Sequence, residues 1–108
     1  MNAADIFAEM TQAFQSEKAG DLQAVFQFNL SGEEGGEWAV AVANRACTVT
    51  EGQAEKPDVT ISMGATDFVK MVNGQLKPLV AFMQGKIKLH GNMDLAMKVQ
   101  ELFVGPGS

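Results

Sequence analysis

Within nineteen residues, Gly85 to Phe103, the apolar pattern of this 108-residue chain changes period, and the change dictates a strand, a turn and a helix in that order. Ile87 and Leu89 alternate with Lys86, Lys88 and His90, the period-two pattern of a strand with one buried face. Gly91 then permits a turn that a side chain would oppose. Asn92 is placed to cap the next helix, its side-chain oxygen accepting from an N-terminal amide that has no partner inside the helix. Along Asn92 to Phe103, the residues Leu95, Ala96, Val99, Leu102 and Phe103 share one helical stripe. Met93 and Met97 fall on a flank outside it, beyond Gln100, so the helix has more apolar surface than packing on a sheet requires.

The preceding residues supply the rest of an α+β order. Ile6, Phe7, Met10, Ala13 and Phe14 recur at spacings of three and four, which predicts an amphipathic helix from Ala3 to Phe14. Ala24, Phe26, Phe28 and Leu30 alternate as a strand. The glycine-rich turn Ser31-Gly-Glu-Glu-Gly-Gly36 predicts a hairpin to a returning strand carrying Trp38, Val40 and Val42. A third strand is expected from about Arg45 to Glu51, after a tight turn at Asn44, and a fourth with Val59, Ile61 and Met63 after Pro57. All of these connections are short enough for antiparallel neighbours. Thr66 is placed to cap a helix carrying Phe68, Met71 and Val72, Gly74 to stop it, and Pro78 to open another with Leu79, Phe82 and Met83. The expected fold is a five-stranded, mostly antiparallel sheet covered by about four helices.

Three segments of this pattern, Pro57-Asp-Val-Thr-Ile-Ser62, Phe82-Met-Gln-Gly-Lys-Ile-Lys88 and the C-terminal block, carry a resemblance. Its strongest part is Gly85-Lys86-Ile87-Lys88 followed by Gly91-Asn92-Met93 and Leu95-Ala96-Met97-Lys98. Over nearly its whole length the chain resembles the sterol carrier protein type 2 (sterol-binding) domain family. The resemblance implies a sheet and helices enclosing an apolar cavity for a lipid-like ligand, closed by the last helix. It does not name the ligand.

Size and charge narrow the alternatives. The length suits one domain, expected over residues 1–104 with 105–108 as a tail, which would bury about 65% of its unfolded surface. No apolar run approaches the roughly 20 residues that cross a bilayer, and the N-terminus has no secretory pattern, so a cytoplasmic protein is expected. Residues 1–62 hold ten acids against three bases, and residues 63–108 hold five lysines against three acids. No basic patch interleaved with aromatics is present to release counterions from nucleic acid, although the lysine-bearing half could approach an anionic membrane transiently. One cysteine, Cys47, and one histidine, His90, can form neither an internal disulfide nor a four-ligand zinc site. No cofactor is expected.

Five of seven methionines, Met63, Met71, Met83, Met93 and Met97, follow the hairpins; such flexible side chains either fill core gaps or line an adaptable binding wall. The two short helices between Phe68 and Met83 suit a lid. Taken with what the resemblance implies, the expected ligand-binding residues are Phe68, Met71, Val72, Leu76, Leu79, Phe82, Met83, Met93, Ala96, Met97 and Phe103, with Lys77, Lys86 or Lys88 meeting a charged head group. The ligand would be a fatty acyl chain, a fatty acyl-CoA or a sterol-like molecule. The alternative is an interaction module whose last helix forms a homodimer or docks on a larger enzyme. Catalysis finds little support: His90 alternates with apolar residues on the polar side, no Gly-x-Ser-x-Gly turn occurs, and Glu33 and Glu34 sit in a glycine turn with nothing apolar beside them.

Overall fold

Alternation in Ala24–Ser31 builds the central strand, β1, around which the other elements are arranged. In the computed structural model, which describes residues 3–13, 20–32 and 35–102, helix α1 (Ala3–Ala13) is followed by β1, β2 (Gly36–Ala43), β3 (Ala46–Glu51) and β4 (Val59–Gly64). Then come α2 (Ala65–Val72), α3 (Pro78–Met83), β5 (Ile87–Gly91) and α4 (Met93–Leu102). This is the expected α+β order. Phe14, Glu33, Glu34 and Phe103, all singled out above, lie outside the described residues, as does the tail 105–108.

The five strands form one sheet in the order β3-β2-β1-β4-β5. Three of the four pairings are antiparallel, but β4 lies parallel to β1, with Phe28 opposite Ile61 and Leu30 opposite Met63. The short link after β3 therefore does not return as an antiparallel neighbour, contrary to the pattern expected from its length. It crosses β2 and β1, and a fully buried polar residue of β1 holds it there: Gln27 Nε2 donates to the Gly52 carbonyl at 3.1 Å, and the Ala54 amide donates to Gln27 Oε1 at 2.8 Å. At the far end the Asp58 amide donates to the Val25 carbonyl, and the Val25 amide to Asp58 Oδ2.

Alternation gives the sheet two unlike faces. Phe26, Phe28, Leu30, Trp38, Val40, Val42, Val59, Ile61 and Met63 are buried on the face that the helices cover. The other face carries Gln27, Asn29, Thr60, Ser62, Lys88 and His90 at the intervening positions. Chain reversal between β2 and β3 places Asn44 and Arg45 at φ of 53° and 61°, the left-handed pair of a tight hairpin.

Helix ends confirm two expectations and correct one. Asn92 Oδ1 accepts from the Asp94 and Leu95 amides at 3.0 and 3.3 Å, so it caps α4. Gly91 before it has φ of 106°, and a Cβ there would collide with the Asp58 carbonyl. Thr66, by contrast, is exposed inside α2; the cap residue is Gly64, because β4 runs into the helix with no linker. Among the described residues, no helix is long and apolar enough to cross a membrane.

Candidate ligand-binding site

Cover over the apolar face of the sheet is uneven, and the unevenness marks the candidate site. Over β1 and β2 it is complete: Phe26 and Val40 are fully buried, and an aromatic cluster joins α1, α2 and the sheet. Phe7 stacks on Trp38 at 4.6 Å and on Phe68 at 5.2 Å between ring centroids, and it meets Phe28 edge-on at 5.3 Å. Such offset and edge contacts add to the large apolar area these rings remove from water.

Over both edge strands the cover is partial: Cys47 and Val49 of β3 are half-buried, and so is the apolar side of β5. Leu89 and Ile87 continue the apolar rows through Ile61 and Met63, yet they are only half-buried where their β4 partners are buried. Val69, Met71 and Val72 of α2 and Leu95 and Ala96 of α4 are likewise half-buried against the core, and Leu76 in the link to α3 is half-buried. Helix α3 seats Ala81 fully and leaves Leu79, Val80, Phe82 and Met83 exposed, Leu79 at 67% and Met83 at 78%. Strand β5 and the two helices that contact it, α3 and α4, thus carry partly covered apolar surface. Its affinity for a ligand would be hydrophobic and would need few polar contacts.

The residues expected to bind ligand fall into distinct environments. Phe68 is buried in the aromatic cluster, where its contacts are with other rings. Met71, Val72, Leu76 and Ala96 are half-buried, and α3 carries Leu79, Phe82 and Met83 outward. Met93 is also exposed, at 46%; Met97 falls within α4, and Phe103 lies outside the described residues. Met63 belongs to the closed core, so the methionines do not form one wall. Sequence reasoning did not name Ile87 and Leu89 among the expected ligand-binding residues, although alternation placed them on the apolar face of the sheet. Lys86 and Lys88 stand on the opposite face from Ile87 and Leu89, which separates them from a head group in the apolar region.

The reactive candidates are also separated. Cys47 is half-buried on β3, where loss of hydration lifts its thiol above the ordinary 9.0, and His90 is exposed on β5 at the opposite edge of the sheet. Among the described residues, no group of three or more His, Cys, Asp or Glu side chains could hold a metal ion.

A family model described as the SCP-2 sterol transfer family matches residues 7–104. The chain belongs to this family. SCP-2 membership accounts for the fold: the solution structure of palmitated SCP2L2 from Aedes aegypti is 30% identical, with a TM-score of 0.78 over 94% of this chain and 93% of that one. The sec-alkylsulfatase Pisa1 from Pseudomonas sp. has the same fold over 91% of this chain and 16% of its own, with a TM-score of 0.80 at 19% identity. Hydroxysteroid dehydrogenase-like protein 2 of Mus musculus is 41% identical over 99 residues, 91% of this chain but 20% of that protein. The chain thus spans about a fifth of the length of the curated relatives it matches.

Proposed function

We propose that this SCP-2 domain binds and transfers a lipid-like ligand, a fatty acyl chain, fatty acyl-CoA or sterol-like molecule, with no covalent step. The observation that carries the proposal is the half-burial of Ile87 and Leu89 on the apolar face beside an α3 that presents Leu79, Phe82 and Met83 to water, a combination that the equally half-buried Cys47 and Val49 at the β3 edge lack. A hydrocarbon lying over β5 beneath α3 and α4 would remove that surface from water at about 25 cal/mol per Å² of apolar area, less the cost of association. The palmitated relative supports an acyl chain as ligand. Short α3, bounded by Pro78 and Gly85, would act as the lid that moves to admit it.

Residues 68–83 support loading from an anionic membrane: they hold Lys70 and Lys77 and no acid, in a chain of net charge −5, and include all of α3. Transient contact there would bring the exposed apolar residues of α3 to the source of the ligand.

Mass spectrometry of lipid extracted from the native protein, followed by uptake of a fluorescent fatty acid by the delipidated protein, tests the proposal. Bound lipid and saturable uptake are expected, with uptake weakened about tenfold in Leu89→Trp, whose circular dichroism should match the parent. Protein that contains no lipid and takes up no probe would overturn the reading. Uptake retained in Leu89→Trp would move the ligand away from β5.

A further inference from the structure

The face of the sheet away from the helices carries a polar feature that lipid carriage does not use. Asn29, Ser62 and Lys88 stand in one row across β1, β4 and β5, because Asn29 pairs with Ser62 and Ser62 with Lys88. In the next row Ser31 pairs with Gly64, and Lys86 lies just beyond the pairing of Ile87 with Met63. Small residues fill the middle strand, so the longer side chains on either side surround a recess of about 250 Å³.

The donors of this recess are oriented from the backbone outward. Gln27 Oε1 accepts from the Ala54 amide, which leaves its Nε2 to donate to the Gly52 carbonyl and to Asn29 Oδ1, both at 3.1 Å. Gln53 Nε2 donates to the same Asn29 oxygen at 3.1 Å. With Oδ1 engaged twice on the glutamine side, Asn29 can offer the recess only its Nδ2 donors. Ser31, Ser62, Lys86 and Lys88 supply the other polar side chains of the lining, with Met63, Gly64 and Gly85 between them, and neither lysine is ion-paired with a described residue. One carboxylate borders it: Asp67 Oδ2 lies 3.5 Å from where a Cβ on Gly64 would be.

We propose that this recess binds a phosphate group, of a soluble phosphorylated molecule or of a lipid head group. Two lysines supply the charge, while Asn29 and the serines present fixed donors from adjacent strands to its several oxygens. Lysines on an edge strand also discourage pairing with another sheet. That role needs neither the small-residue floor nor an amide turned by a three-residue relay.

Titration of the ¹⁵N-labelled protein with inorganic phosphate, at ionic strength held constant with sodium chloride, tests the proposal. Saturable shifts are expected at the Gly64, Lys86 and Lys88 amides and the Asn29 side-chain amide. Lys86→Ala/Lys88→Ala should weaken binding about tenfold or more, Asn29→Asp should weaken it, and Asp67→Asn should tighten it. Both lysines are exposed, so an unchanged spectrum elsewhere will show that the fold survives. Absence of saturable shifts, or equal shifts in the double lysine variant, would overturn it. Competition between inorganic phosphate and phosphatidic acid vesicles for these amides would assign the phosphate to a lipid head group; saturable phosphate binding without such competition would assign it to a soluble ligand. The outcome is independent of fatty acid uptake, which reads the other face.

Discussion

The Gln27 carboxamide and the Ala54 backbone amide meet at 2.8 Å, and through this contact a fully buried polar side chain of the central strand holds the segment that crosses it. Gln27→Ala would leave the Ala54 amide and the Gly52 carbonyl without these partners, at a cost of about 2–4 kcal/mol. Urea unfolding of the two proteins side by side measures the loss, and faster hydrogen exchange at Ala54 should accompany it. A difference under about 1 kcal/mol would show that water satisfies the exposed groups equally well.

Gln27 also marks where the sequence stopped being legible. Alternation identified β1, β2, β4 and β5, because period two is a property of the strand itself, and local signals likewise gave β3 after the turn at Asn44, the Asn92 cap and the Gly91 turn. Which strand β4 pairs with is settled by residues far apart in the chain, and Gln27, in sequence, is only a polar position between Phe26 and Phe28. The site was legible in part for a similar reason. Met71, Val72 and Ala96, assigned from helical spacing, are half-buried against the core, but a helix as short as Pro78–Met83 has too few turns to show which of its apolar residues face inward. Ile87 and Leu89 were read as core, since partial cover depends on what the neighbouring helices leave open.

Capping separates Asn92 from Thr66. Asn92→Ala removes an acceptor used by two amides and should cost about 1 kcal/mol, read as a lowered unfolding midpoint. Thr66→Ala should change stability by less than about 0.5 kcal/mol, because Thr66 is exposed within α2 and Gly64 is the cap residue. Equal effects at both positions would contradict the observed start of α2.

Arg45 occupies the left-handed region at φ of 61°, where its Cβ is crowded and glycine is not. Arg45→Gly would give the turn the Asn-Gly pair that such hairpins favour, and should stabilise the protein by about 0.5–1 kcal/mol despite a more flexible unfolded chain. Thermal unfolding at matched pH measures the gain.

Burial raises the Cys47 thiol above its ordinary 9.0, and the sign of the linkage follows. Above about pH 9 the unfolded chain releases this proton before the folded chain does, so stability falls as pH rises through that range; below it, both states hold the proton and the term vanishes. Cys47→Ser should therefore lose less stability than the parent between about pH 8 and about pH 10, measured by urea midpoints. Thiol modification at about pH 8 should be slower in the folded protein than in urea, since the thiolate is the reacting form.

The last contrast distinguishes packing from ligand contact within one set of apolar residues. Phe68 is 3% exposed and meets Phe7 and Phe28, so Phe68→Ala removes ring contacts from a closed cluster and should cost about 3–5 kcal/mol. Leu79 and Met83 stand mostly in water, so Leu79→Ser/Met83→Ser should shift stability by no more than about 0.5 kcal/mol. If α3 serves as the lid, the same double variant should slow fatty acid transfer from vesicles of mixed phosphatidylglycerol and phosphatidylcholine, because the surface that meets the bilayer has lost its apolar contact. Unfolding curves and transfer rates on one pair of proteins decide it. A variant that is destabilised as much as Phe68→Ala would show that α3 is packed in solution, and one that keeps both its stability and its transfer rate would remove α3 from the loading step.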